Sequence, residues 1–195
     1  DYRQNVGSVG KLVAALGLFQ ALADAWPDDI EKRRQILKLT VVTADAFSQS
    51  DHHKIRIFDV DSGKLIRRTM QVGDQGSLWE YLDWTLSVSS NAAAAMIMRE
   101  AMLLRHFGKD YPVPEVEIER FFKETSGKEL TELFQKTFFE AVKRNVLDLE
   151  HLRQGSFFTH GGKKKVNGGG NTYGTARELM KLLLRKEQGR LDDEF

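Results

Sequence analysis

The chain has 195 residues, of which 41% are hydrophobic and 29% charged, and its formal net charge at pH 7 is +1. This length is sufficient to bury a substantial core, and the balanced charge provides no broad field to attract nucleic acid or an anionic membrane. The absence of cysteine excludes disulfides, thiolate metal ligands and a cysteine nucleophile. We also expect no membrane span, because the apolar runs look too short.

The first element in chain order is NVGSVGKLVAALGLFQALADAW, residues 5–26. It predicts a buried helix with Ser8 as its cap, because apolar residues recur at helical spacing. That apolar stripe consists of Leu12, Leu16, Phe19 and Ala23. The alternative is a signal peptide, since basic residues precede the apolar run and small residues follow it. Gln20, inside the run, favours the packed helix.

The rest of the chain predicts mostly helix. A second helix is expected from Pro27 through DDIEKRRQILKLTVV, and a hairpin from KIRIF and KLIRRT around the turn DVDSG. Ser77 and Glu80 form a capping box before the next helix, and Thr175 and Glu178 form another before the last one. Between these boxes, AAAAMIMREAMLLRHF, EVEIERFFKE and KELTELFQKTFFEAVKR predict helices. GSFFTHGGKKKVNGGGNTYG is expected to be a long glycine-rich loop, flexible and exposed in its GGKKKVNGGG part.

Ser8 and Lys11 form an SxxK pair at the expected start of the first helix. A serine hydroxyl needs a base to act as a nucleophile near neutral pH. Residues three apart share a helix face, so Lys11 can reach Ser8. Burial would lower the pKa of Lys11, and the helix N-terminus would stabilise a developing oxyanion. The alternative is a capping serine beside a solvated lysine.

A second polar element lies in TLSVSSNAAAAM, where Ser89, Ser90 and Asn91 occupy the turn between two expected helices. GSVGKL and this turn resemble the SxxK and SxN elements of serine β-lactamases and penicillin-binding proteins. As in that family, SxN follows one helix and precedes an alanine-rich one. NTYGTARELMKLLLRKEQGRL is similar to the family's Thr-capped helix before a sheet strand. The alternative is a polar turn that satisfies its own backbone.

The resemblance implies an α+β fold of the β-lactamase/transpeptidase type. This chain would be mostly α-helical, with the main antiparallel sheet largely missing. Ser8 would attack a carbonyl and Lys11 would take its proton. Ser89 would relay a proton toward the leaving nitrogen, while Asn91 would bind a substrate amide carbonyl and orient Lys11. The substrate would be a small-molecule or peptide acyl donor, with no cofactor and no metal.

Several features depart from the family pattern. The sequence contains no K[ST]G element, and only seven residues precede Ser8, so residues 1–195 are expected to form a single partial domain. Residues 109–150 are expected to be a helical insertion. No Asp or Glu lies between His151 and Thr175, where the most familiar β-lactamases place the Glu that activates water. Uncovered apolar surface is expected to cause self-association.

Two other segments contain residue types found at ligand sites. Asp51, His52 and His53 in SDHHK contain metal-binding residue types, but adjacent histidines point apart on a strand, which favours a solvated loop. GGKKKVNGGG is rich in glycine and lysine, but it lacks the pattern of a phosphate-binding loop.

The sequence therefore predicts a penicillin-recognising serine hydrolase that forms an acyl-enzyme on an amide or ester. Peptidase, esterase and weak β-lactamase activities all stay open. The alternative is a non-catalytic helical interaction or scaffold domain that retains the fold. The resemblance suggests the periplasm or the cell exterior.

Overall fold

The computed structural model describes residues 2–60 and 62–191. Over these ranges the chain has a mostly helical α+β fold with small antiparallel sheets. The helices are α1 Lys11–Ala25, α2 Ile30–Leu39, α3 Leu78–Leu86, α4 Asn91–Phe107, α5 Glu115–Glu124, α6 Gly127–Arg144, α7 His160–Lys165 and α8 Ala176–Glu187. The strands are β1 Val41–Thr43, β2 Lys54–Asp59, β3 Lys64–Thr69, β4 Gln75–Ser77, β5 Leu152–Arg153 and β6 Tyr173–Gly174.

The strands form three two-stranded antiparallel pairs in the described part of the chain: β1 with β4, β2 with β3, and β5 with β6. The predicted hairpin is confirmed, and Ile57 lies opposite Ile66 in its register. Asp61, in the expected DVDSG turn, and residues 192–195 lie outside the described residues.

The predicted second helix is wrong at both ends. Asp29, rather than Pro27, caps α2 by accepting a hydrogen bond from the Lys32 backbone N–H. The helix ends at Leu39, and the following residues form β1 instead. Val41 and Val42 are β-branched, and pairing with β4 supplies the hydrogen bonds that a longer helix would have made.

Helix α4 runs through the centre of the core and packs against both α1 and α3. Its residues from Ala92 to Met98 are completely buried. The four consecutive alanines leave room for neighbouring backbones to approach closely, and they favour helix without losing side-chain entropy. The same helix begins at Asn91, so a deeply buried helix also carries one of the predicted site residues.

Helix α6 packs against α1, with the Phe138 ring against Gly17. Phe134 and Phe138 are both fully buried. Residues 109–150 therefore contribute to the same core as α1 and α4. Their description as an insertion relative to compact relatives stays a prediction.

The capping box of Ser77 and Glu80 is confirmed in both of its hydrogen bonds. At α8, Thr175 accepts from the Glu178 backbone N–H as predicted. The carboxylate of Glu178, however, accepts from the Asp148 backbone N–H at 2.7 Å. This contact links the start of α8 to the segment that joins α6 to β5.

The prediction of a loop is wrong for part of the glycine-rich segment, residues 155–174. This segment contains α7 and β6, β6 pairs with β5 just before the segment, and Gly161 and Gly162 are buried. A side chain at Gly161 could not be accommodated, because its Cβ would lie 1.9 Å from the Ala46 carbonyl oxygen. Here the glycines allow close packing of backbone against backbone.

An apolar groove of about 260 Å³ lies between α1, α3 and α8. Leu86 and Leu183 on its rim are 46% and 45% exposed.

The helical stretch Gly7–Ala25 is long and apolar enough to span a membrane, which corrects the expectation that the apolar runs are too short. Length and apolar composition are weak evidence for a membrane span here, because 72% of the stretch is buried inside the fold, as in the core helix of a soluble protein.

Candidate active site

Ser8 lies in a 3-10 turn, Gly7–Gly10, that leads directly into α1. The prediction that Ser8 caps this helix is wrong, because its hydroxyl makes no capping hydrogen bond. Side chains three residues apart eclipse one another in a 3-10 turn. This geometry brings Ser8 Oγ to 2.9 Å from Lys11 Nζ.

Lys11 is the first residue of α1 and is only 2% exposed. Its ammonium donates three hydrogen bonds: to Ser8 Oγ at 2.9 Å, to Ser89 Oγ at 3.1 Å and to Asn91 Oδ1 at 2.7 Å. Three donors meet three acceptors, so the buried ammonium is fully satisfied. The four predicted site residues therefore meet around one nitrogen, although Lys11 and Asn91 are 80 positions apart.

The turn that contains Ser89 and Asn91 joins α3 to α4. Ser89 has φ of +58°, in the left-handed region that residues other than glycine seldom adopt. Ser90 caps α4 by accepting a hydrogen bond from the Ala93 backbone N–H. Backbone strain of this kind persists only where the surroundings hold it, and it is common at functional sites.

The pKa of Lys11 is lowered. Burial disfavours the charged ammonium, and the negative charge of Asp51 opposes this effect without cancelling it. The aromatic ring of Phe158 also lies near the ammonium, with its centroid 4.9 Å from Nζ. A lysine with a depressed pKa gives up its proton more readily, as a general base must.

The sequence predicts a solvated loop at Asp51, and this prediction is wrong for its side chain. The Asp51 side chain is 2% exposed and lies beneath the Ser90 turn. Its ligand atoms lie within 4.8 Å of those of His52 and His53. Both carboxylate oxygens already accept hydrogen bonds from protein groups, so we assign no metal to this cluster.

Gln154 is a second residue that sequence reasoning missed. It is 2% exposed, and a methyl group at Gly10 would lie 2.2 Å from its Oε1 atom. Its amide nitrogen donates to the Ser156 carbonyl, which leaves Oε1 as an acceptor with no hydrogen-bond partner among the described residues. An unpaired buried acceptor is costly, and this one lies against the turn between Ser8 and Lys11.

No sequence signal assigns Asp51 or Gln154 to this site, because each reaches it through tertiary packing. Comparisons of the chain with protein-family models, with curated proteins and with the solved structures found no match. The case for function therefore depends on the chemistry of these residues. An exposed serine hydroxyl touches a buried lysine amine of lowered pKa, which in turn touches a second serine and an amide.

Proposed function

We propose that the chain is the helical part of a serine hydrolase that forms an acyl-enzyme through Ser8. The observation that carries the proposal is the position of Lys11 Nζ within hydrogen-bond distance of Ser8, Ser89 and Asn91. The resemblance of the SxxK and SxN elements to those of β-lactamases and penicillin-binding proteins supports the same chemistry. We propose the β-lactamase/transpeptidase fold on the same grounds.

In the first step, Ser8 Oγ attacks the carbonyl carbon of an amide or ester, and its proton passes to the neutral amine of Lys11. The carbonyl π electrons move onto oxygen to form a tetrahedral oxyanion. When this intermediate collapses, the bond to the leaving nitrogen or oxygen breaks. The leaving atom receives its proton from Lys11 by way of the Ser89 hydroxyl, and Ser8 is left as an ester.

Asn91 has two roles in this scheme. Its Oδ1 atom holds the Lys11 amine in place, and its amide N–H groups can donate to a carbonyl of the substrate. A small-molecule or peptide acyl donor fits this pattern, and none of the steps calls on a cofactor.

In the second step, water attacks the ester carbonyl, and the bond between the acyl carbon and Ser8 Oγ breaks. Ser8 Oγ receives a proton from the water, which regenerates the hydroxyl and releases a free acid. This step needs a base that holds the water. No carboxylate occurs between His151 and Thr175, and Gln154 is an acceptor too weakly basic to remove a proton. We therefore propose slow deacylation, as in a peptidase, an esterase or a weak β-lactamase.

The alternative function is a helical interaction or scaffold domain with no catalysis. The apolar groove between α1, α3 and α8 favours this reading, because large exposed apolar patches mark interaction surfaces. The two functions differ in whether Ser8 reacts with an electrophile.

The test is intact-mass spectrometry after treatment with a fluorophosphonate and, separately, with a reactive β-lactam. We expect a single covalent adduct, located at Ser8 by peptide mapping and absent from Ser8→Ala. Lys11→Ala should lose labelling as well. Ser62→Ala, which removes an exposed serine in the β2–β3 turn, should label like the parent chain. No adduct on the parent chain, or an adduct that persists in Ser8→Ala, would refute the proposal.

A further inference from the structure

Asp51 lies under the turn that presents Ser89 and Asn91 to Lys11. Its Oδ2 atom accepts from Ser90 Oγ at 2.8 Å and from the Ala92 backbone N–H at 2.9 Å. A single carboxylate oxygen thus holds the residues on both sides of Asn91.

The other carboxylate oxygen fixes Asp51 itself. Oδ1 accepts from the His53 backbone N–H at 3.1 Å and from His53 Nδ1 at 2.6 Å. The His52 ring stacks on that of His53, with centroids 4.3 Å apart. With its side chain 2% exposed and two hydrogen bonds on each oxygen, the carboxylate has little freedom to move.

These contacts explain how the strained turn is maintained. Ser89 has a positive φ, which is unfavourable for serine and needs external support. The carboxylate binds Ser90 and Ala92, so a change in its position would shift Asn91 and the Ser89 hydroxyl relative to Lys11. An anion at the N-terminus of α4 is also favoured by the helix dipole.

The charge of Asp51 persists across the pH range in which a hydrolase works. Burial by itself would raise the pKa of Asp51, but hydrogen bonds from Ala92, His53 and Ser90 outweigh it and lower the pKa to about 2. The resulting negative charge raises the pKa of Lys11, against the effect of burial. Asp51 therefore affects the Lys11 amine both through its position and through its charge.

We infer that Asp51 is a positioning residue: it holds Ser89 and Asn91 against Lys11 and supplies the negative charge that this buried amine faces. The inference rests on the proposed function for its catalytic meaning. The structural link from Asp51 to Lys11 through the turn can be measured without any substrate. The charged and titratable groups that bear on it are Lys11, His52 and His53.

The experiment compares Asp51→Asn with Ser90→Ala in the full chain. Lysine side chains are labelled with ¹³C, the Lys11 signal is assigned from its loss in Lys11→Arg, and its pKa is read from an NMR pH titration. Asp51→Asn keeps the shape but removes the charge, so we expect the pKa of Lys11 to fall. Ser90→Ala keeps the charge, so the pKa of Lys11 should stay near its value in the parent chain.

Acylation by the fluorophosphonate gives the second readout. In Asp51→Asn the acidic limb of the rate–pH profile should move to lower pH, because Lys11 loses its proton at a lower pH. In Ser90→Ala the limb should stay in place while the rate falls about tenfold, because small displacements of a catalytic group are costly. A purely structural role for Asp51 would not separate the two variants in this way.

The outcomes distinguish this inference from the proposed function. If the parent chain does not react but the pKa of Lys11 falls in Asp51→Asn, the proposed function fails and the link stands. If the parent chain reacts and a folded Asp51→Asn has an unchanged Lys11 pKa and rate–pH profile, the inference is overturned. Should Asp51→Asn fail to fold, Ser90→Ala provides the test. An unchanged acylation rate in Ser90→Ala overturns the inference.

Discussion

Asn91 Oδ1 lies 2.7 Å from Lys11 Nζ, the shortest of the three hydrogen bonds that this ammonium donates. The contact joins the first residue of α1 to the first residue of α4. The two helices that build the centre of the core therefore also fix the distance between the proposed base and its partner. A site built on rigid elements holds its geometry better than one built on loops.

Asn91→Asp should raise the pKa of Lys11 and slow acylation at neutral pH. The new carboxylate would form an ion pair with the ammonium and make its proton harder to remove. The acidic limb of the acylation rate–pH profile should move to higher pH, which fluorophosphonate labelling at a series of pH values would measure. Asn171→Asp, at an exposed position, is the matched control. An unchanged profile in Asn91→Asp would argue against Lys11 as the base.

Deacylation should be the slow step, because no carboxylate lies between His151 and Thr175 to activate water. A chromogenic β-lactam in stopped flow should then give a stoichiometric burst and a slow steady state. Both Ser8→Ala and Lys11→Ala should lack the burst. Rapid multiple turnover would show that a deacylating group has been overlooked.

Gln154→Glu should speed that steady state several-fold. It would place a carboxylate where an unpaired acceptor already lies beside Gly10, and a carboxylate can accept a proton from water. The same stopped-flow assay measures the effect, with Gln154→Ala as the control that removes the acceptor. An equal steady state in the parent chain and in Gln154→Glu would place Gln154 too far from the ester.

Gly17→Ala should destabilise the fold by about 1–3 kcal/mol. The new methyl group would lie 2.5 Å from Phe138 Cδ1, and this ring is fully buried and packs against Phe134. The clash outweighs the gain in helix propensity. Urea unfolding followed by circular dichroism gives the free energy of unfolding.

Gly127→Ala is the matched control for that measurement. Gly127 is the first residue of α6, and a methyl group there would meet nothing within 4 Å. We expect no loss of stability in this variant. Equal destabilisation of both variants would mean that the α1–α6 contact is looser than the structure indicates.

The chain by itself should self-associate through the apolar groove between α1, α3 and α8. Leu86 and Leu183 on its rim expose apolar surface to water, and burying it against a second copy is favourable. Light scattering should show a mass that rises with concentration, and Leu183→Lys should reduce the rise. Val116→Lys, at an exposed apolar position on α5, is the control. A strictly monomeric parent chain would contradict this prediction.

The sequence by itself determined the local features of this protein. Helix α4 follows from its run of alanines, the β2–β3 hairpin from its β-branched residues, and the caps at Ser77 and Thr175 from hydrogen bonds to residues three positions on. The contact between Ser8 and Lys11 belongs to the same class, because the two residues lie only three positions apart. Interactions over a few residues are largely independent of the rest of the fold.

The tertiary structure alone decided that Asp51 and Gln154 lie at the site. The resemblance implied that Asn91 orients Lys11, but the distance between them, like the positions of Asp51 and Gln154, depends on how α1, α4 and the segment after α6 pack. Tertiary packing also decided the role of Gly161 and Gly162. The glycine-rich composition of their segment predicted a flexible loop, but their lack of side chains permits close packing. Burial, which lowers the pKa of Lys11, is a property of the whole core and no short pattern encodes it.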